Sequence, residues 1–176
     1  MRKRTARLRP AAISSDAGEA ALSIIVAYED SLTRRWAWDL WRRVGRLTGS
    51  GGICRKAWRI ANFSRPGIFA EAALAAAKAD MLIIAVRDAE KVPRFLDLWI
   101  DAWLPQRAKR PGALVALIGV PARPDAQSGY AHQLLEAVAR QAGLDYLPRE
   151  RKLPEESTAL RWQAVVPASA LLALAL

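Results

Sequence analysis

The sequence predicts an α/β fold, a three-layer αβα sandwich on a five-stranded parallel sheet in the order 2-1-3-4-5. Three observations point there. Short apolar runs of strand length alternate with longer segments of helical period, the arrangement of successive βα units. The runs at 22–28 (LSIIVAY), 81–86 (MLIIAV) and 113–120 (ALVALIGV) are continuously apolar, as strands buried on both faces of a parallel sheet are. Right-handed crossovers between such strands carry helices to both faces of the sheet.

Each element has its own justification. After the first strand, Leu32, Trp36, Leu40, Val44 and Leu47 recur at helical spacing. Arg34, Arg35, Arg42, Arg43 and Arg46 lie mostly off that stripe, so the segment is an amphipathic helix against the sheet. TGSGG at 48–52 follows a helix and precedes a strand, the reverse of a phosphate loop, and is expected to be a turn. ICRKAWRIANF at 53–63 is the second strand, and Arg55, Lys56 and Arg59 suit it to a sheet edge. Pro66 opens a helix through IFAEAALAAAKA, in the first turn where its missing N–H costs nothing. The third strand leads to VPRFLDLWIDAWL, with Phe95, Leu96, Trp99, Trp103 and Leu104 on one face and Asp97 and Asp101 on the other. Pro105 and QRAKRPG end it. The fourth strand is followed by a helix at 126–142 closed by Gly143, and LDYL at 144–147 is a short fifth strand.

At 176 residues the chain suits one domain: a basic disordered arm at 1–20, the α/β domain at 21–148, and a charged linker with an apolar tail at 149–176. Hydrophobic residues at 52% against 25% charged exclude a disordered chain. Of the net charge of +10, Arg2, Lys3, Arg4, Arg7 and Arg9 supply five, which predicts nonspecific polyanion contact through the arm. A single cysteine, Cys54, and a single histidine, His132, exclude a disulfide framework and a zinc site of several Cys and His ligands. A reducing, cytoplasmic setting is the expectation. Asp16 and Glu19 interrupt the only stretch resembling a secretory signal. The terminal AVVPASALLALAL is shorter than the roughly 20 residues of a membrane span and contains Pro167.

In open α/β sheets ligands bind beyond the carboxyl ends of the strands, near the point where strand order reverses. That rule selects Tyr28, Glu29, Asp30, Ser31 and Thr33 after the first strand, and Asn62, Phe63 and Ser64 after the second. Arg87 and Asp88 follow the third, Gly119 and Arg123 the fourth. Among them Tyr28, Ser31, Asn62, Phe63, Arg87, Asp88 and Gly119 are the candidate cofactor-binding residues. Glu29, Asp30 and Asp88 could also hold a magnesium ion, although Asp30 or Ser31 reads equally well as a helix N-cap. No metal site is assigned. His132, Glu136 and Arg140 share a helix stripe away from Tyr130, Leu134, Leu135 and Val138, so His132 is expected to be solvated. Without a G-x-S-x-G motif or a second histidine, no catalytic residue is assigned. In RRWAWDLWRR the stripe places Trp36 in the core but does not place Trp38 and Trp41, which leaves a surface for a protein or nucleic-acid partner.

Ala79, Asp80, Pro93, Asp101 and Trp103, within ADMLIIAVRDAEKVPRFLDLWIDAWL, give 79–104 a resemblance to the third strand and following helix of the NADPH-dependent FMN reductases. The resemblance implies a flavodoxin-like fold with FMN across the strand ends. Those reductases hold the FMN phosphate in a small hydroxyl-rich loop. This chain has YEDSLTRR there, whose Glu29 and Asp30 repel phosphate and whose Arg34 and Arg35 can offset them. Glu29 and Asp30, Asp88, and AGLDYLPRE near the fifth strand also resemble response-regulator receiver domains. Gly119 stands where that family has Ser or Thr, and LPR replaces its Lys-Pro order, which implies a degenerate receiver without normal phosphotransfer. The whole chain resembles uncharacterised bacterial proteins of this flavodoxin-like shape. The expected function is a binding or regulatory module, with a protein partner or a second copy of the chain. The alternatives are an FMN-dependent NAD(P)H reductase and a degenerate receiver-like signalling domain.

Overall fold

The computed structural model describes residues 22–47, 53–120 and 129–153. The expectations for the arm at 1–20, the TGSGG turn, Arg123 and the tail beyond 153 lie outside these residues. In chain order the elements are β1 (Leu22–Tyr28), α1 (Ser31–Leu47), β2 (Ile53–Arg59), α2 (Pro66–Lys78), β3 (Met81–Val86), α3 (Arg94–Trp103), β4 (Ala113–Val120), α4 (Tyr130–Ala142) and β5 (Asp145–Lys152). The five strands form one sheet, all parallel, in the order β2-β1-β3-β4-β5. This is the flavodoxin-like arrangement, with its reversal of strand order between β1 and β3. No helix among the described residues is long and apolar enough to cross a membrane.

The central strands are apolar because both of their faces are covered. Ile24, Val26, Ile83, Ala85, Val115 and Leu117 point to the layer of α1, where Trp36 and Ala37 meet them. Ile25, Ala27, Leu82, Ile84, Leu114 and Ala116 point the other way, into a larger core with α2, α3 and α4. Small residues let α2 lie close: Ala72, Ala73, Ala76 and Ala77 are all buried. α3 instead contributes bulk through Leu96, Trp99, Ile100 and Trp103. Gly143 closes α4 in the left-handed region at φ 68°, where a residue without Cβ is unstrained.

Four local expectations are corrected. β2 stops at Arg59, and Ile60–Ser64 form a short 3₁₀ helix that turns Ile60 and Phe63 into the core. β5 continues past Leu147 to Lys152, since it pairs with β4 over the full register from Ala113↔Asp145 to Val120↔Lys152. Its outer edge is solvated, so RER and Lys152 are tolerated where the sequence reads as linker. Tyr130 sits at the start of α4 and is 49% exposed, while Ala131 and Ala139 take core positions.

The fourth correction is Arg107, in the basic stretch expected to be a simple helix stop. It is only 8% exposed. Its Nη1 donates to the carbonyls of Ala79 at 2.8 Å and Ala76 at 3.4 Å, satisfying the C-terminal end of α2. Arg107→Met keeps the packing stem and strands these acceptors, with an expected loss of about 2 kcal/mol in urea unfolding. A loss indistinguishable from zero would show that the bonds are replaced by solvent.

Candidate functional site

The reversal between β1 and β3 is where a ligand of this fold would enter, and the chain's own side chains converge there. The β1 ladder runs one residue past the strand, with Glu29 N donating to the Ala85 carbonyl at 3.1 Å. The chain then turns into α1, with Asp30 as its N-cap. Thr33 N donates to Asp30 Oδ1 at 2.9 Å, and Asp30 N donates back to Thr33 Oγ1 at 2.8 Å. This reciprocal pair satisfies two backbone donors at once, and it explains a threonine buried at 0% exposure.

From this turn Glu29 reaches across the switch point. Its Oε2 accepts the backbone N–H of Arg87 at 2.7 Å. The Arg87 side chain folds back in turn, and its Nη1 donates to Asp30 Oδ2 at 3.0 Å. Arg59, at the end of β2, donates from Nε to the Glu29 carbonyl at 3.2 Å. The ends of β1, β2 and β3 are thereby tied together by Glu29, Asp30, Arg59 and Arg87. Gly119 lies alongside at the end of β4. A Cβ there would stand 2.0 Å from the Arg87 carbonyl oxygen, so the glycine is needed for close main-chain approach.

The two carboxyls titrate in opposite directions. Burial pushes Glu29 above its ordinary 4.5; the Arg87 amide opposes this, and the charges of Asp30 and Asp88 add to it. Burial also works against the Asp30 carboxylate, but the bonds from Thr33 and the charge of Arg87 outweigh it and hold Asp30 below its ordinary 3.8. Glu29 therefore favours the fold most below pH 4.5, and its contribution is lost as pH rises through its raised value. The contribution of Asp30 is complete above pH 3.8 and is lost as pH falls through its lowered value. Glu29→Gln keeps an acceptor for the Arg87 amide and removes the titration. Urea midpoints from about pH 3 to about pH 7 should show a larger decline with rising pH in the parent protein than in the variant, where Asp97, also raised by burial, still contributes, and the loss below pH 3.8 in both. Identical profiles would contradict the burial of Glu29.

The other predicted residues are dispersed. Tyr28 ends β1 and is half-buried, with the Arg34 guanidinium 6.0 Å from its ring centroid. Ser31 is exposed in the first turn of α1. Asp88 accepts the Glu90 N–H at 3.0 Å in a local turn. Asn62 is exposed, and its carbonyl accepts from Arg65 N at 3.0 Å. Phe63 is 3% exposed and stacked on Trp99 with centroids 5.2 Å apart, so its ring faces the core and not a ligand. Among the described residues no group of three His, Cys, Asp or Glu side chains could hold a metal ion, so Glu29, Asp30 and Asp88 do not assemble the magnesium cluster considered from sequence.

His132 is not solvated. Its side chain is 14% exposed between α4 and β5, with Nδ1 3.2 Å from the Tyr146 hydroxyl and Nε2 3.6 Å from Glu150 Oε1. Burial, aided by the charge of Glu136, pushes the Tyr146 phenol up to about 12. The helical stripe leads toward β5 because β5 extends as far as Glu150, which the sequence reading did not expect.

On the outer side of α1 lies an open recess of about 270 Å³ lined by Ser31, Arg34, Arg35, Trp38 and Arg42. Of the two tryptophans that the helical stripe leaves unplaced, Trp38 lines this recess and Trp41 packs beside it, with ring centroids 6.3 Å apart. Arg55 of β2 lies over both, 4.3 Å from the Trp38 ring and 4.0 Å from the Trp41 ring. The alternation of β2 could have indicated this residue, since Ile53, Arg55 and Ala57 share the face toward α1.

No family model matches the chain, and no curated protein matches it. Among solved structures it is similar to the general stress protein 14 of Treponema denticola in complex with FMN, at 18% identity and a TM-score of 0.46, covering 86% of this chain and 96% of that one.

Proposed function

We propose that this chain is a binding or regulatory module on a flavodoxin-like frame, not a flavin enzyme. The observation that carries the reading is the carboxylate of Glu29 on the Arg87 amide at 2.7 Å, at the reversal of strand order. A main-chain N–H there is the kind of donor that would receive a phosphate oxygen, and the protein supplies the acceptor itself. Asp30 occupies the α1 N-cap and the Arg87 guanidinium, a second and third donor position. The residues present do not fit an FMN phosphate: an anion would have to displace two carboxyl groups from their bonds. Phe63, a candidate cofactor contact after β2, is turned into the core and offers no ring to a flavin there.

The regulatory form of this reading, a degenerate receiver-like domain, is supported by the same contacts. Arg87 follows β3 directly; its guanidinium pairs with Asp30 and its backbone N–H with Glu29, so both acids after β1 are tied to one residue. Purified protein is expected to be colourless, to leave the fluorescence of added FMN unquenched at micromolar concentrations, and not to oxidise NADPH in the presence of FMN. Yellow protein, quenching, or NADPH oxidation above the protein-free rate would overturn the proposal in favour of the reductase.

A further inference from the structure

We infer that the α1–β2 surface is a platform for single-stranded nucleic acid, on which Trp38, backed by Arg55 and Trp41, stacks a base while Arg34 and Arg35 take phosphates. The inference rests on the binding-module reading and names its ligand. α1 carries five arginines and one acid, Asp39, which is already bonded to Arg42 at 2.6 Å. Among the described residues Arg34, Arg35 and Arg55 have no carboxylate partner. Crowding like charges on one surface opposes folding, and a bound polyanion relieves it. Arg34 also lies 5.2 Å from the centroid of the Trp38 ring, so two guanidinium groups stand close to this indole. Arg55 Nη1 and Trp41 Nε1 are buried donors with no hydrogen-bond partner among the described residues.

Three polyanions compete for such a surface, and the aromatic component separates them. An anionic membrane requires exposed apolar side chains, but among the described residues the large ones, Leu74, Leu98, Tyr130 and Leu147, lie on α2, α3, α4 and β5. An acidic peptide engages the arginines and leaves the stacked indoles without a role. Bases stack on indole and guanidinium planes, while their phosphates meet the recess beside Trp38. Duplex DNA keeps its bases stacked inside, which selects the single strand.

The test measures anisotropy of labelled oligo-dT of about 15 nucleotides with the full chain across a salt series. Arg34→Gln/Arg35→Gln, two exposed positions outside the core, should lower the log–log salt slope by about 1.4. Trp38→Leu should weaken binding about tenfold with an unchanged slope, and Trp38→Tyr should restore most of it. Replacing Arg2, Lys3, Arg4, Arg7 and Arg9 by Gln should leave the Trp38 effect intact. Circular dichroism checks that each variant folds, and if Trp38→Leu does not, the arginine pair decides. Polyglutamate or duplex bound as tightly as oligo-dT, binding abolished by the arm replacements alone, or no binding would each overturn the platform. A chain that ignores both oligo-dT and FMN would refute the platform and leave the module reading standing; NADPH oxidation with FMN would refute the module reading whatever oligo-dT does.

Discussion

Trp99→Ala is expected to lower the unfolding free energy by about 4 kcal/mol. Trp99 is fully buried, stacked on Phe63 at 5.2 Å and tilted against Trp103 at 5.9 Å. It joins α3 to the 3₁₀ turn after β2, so its removal opens a cavity bounded by two elements that cannot both collapse into it. Its Nε1 has no hydrogen-bond partner among the described residues. Trp99→Phe, which deletes that buried donor along with less volume, should therefore cost far less than the alanine variant, about 1 kcal/mol. Urea unfolding with an unchanged m-value would report these as native-state effects. Equal losses in the two variants would contradict the cavity account, because phenylalanine keeps most of the ring volume that alanine removes.

Gly119→Ala is expected to cost about 3 kcal/mol, more than its single methyl suggests. The new Cβ would fall 2.0 Å from the oxygen and 2.8 Å from the carbon of the Arg87 carbonyl. Both belong to main chain, which cannot rotate aside, so the ends of β3 and β4 would have to part. Gly67→Ala provides the control: no atom lies within 4 Å of its Cβ position, and its effect should stay within about 0.5 kcal/mol of zero. Comparable effects at the two glycines would remove the steric account of Gly119.

The sheet was legible from sequence where burial on both faces makes a strand continuously apolar, as in LSIIVAY, MLIIAV and ALVALIGV. At the edges that signal fails. β5 exposes most of its side chains, so Arg149 to Lys152 carry no apolar pattern and only the pairing with β4 reveals the strand. The strand-end rule picks out the candidate site, but the contacts made there are not legible in the sequence. Glu29 and Arg87 stand 58 residues apart, and nothing local in YEDS or VRDA tells which backbone N–H a carboxylate accepts. Arg107 illustrates the same limit: a basic residue after a helix reads as solvated until α2 brings its carbonyls within reach. Trp38 and Trp41 stand out in the sequence because they fall off the apolar stripe, but their partner, Arg55, comes from a different element.

The central claim is that Glu29 fills the switch point by accepting the Arg87 amide, and hydrogen exchange at that one amide tests it most directly. Followed by NMR in the full chain, the Arg87 N–H should exchange far more slowly than an open loop amide. It should remain protected in Glu29→Gln and lose protection in Glu29→Ala, with the amides of β3 unchanged throughout. Rapid exchange at Arg87 in the parent protein, or protection that survives Glu29→Ala, would contradict the claim and reopen the crevice to a ligand.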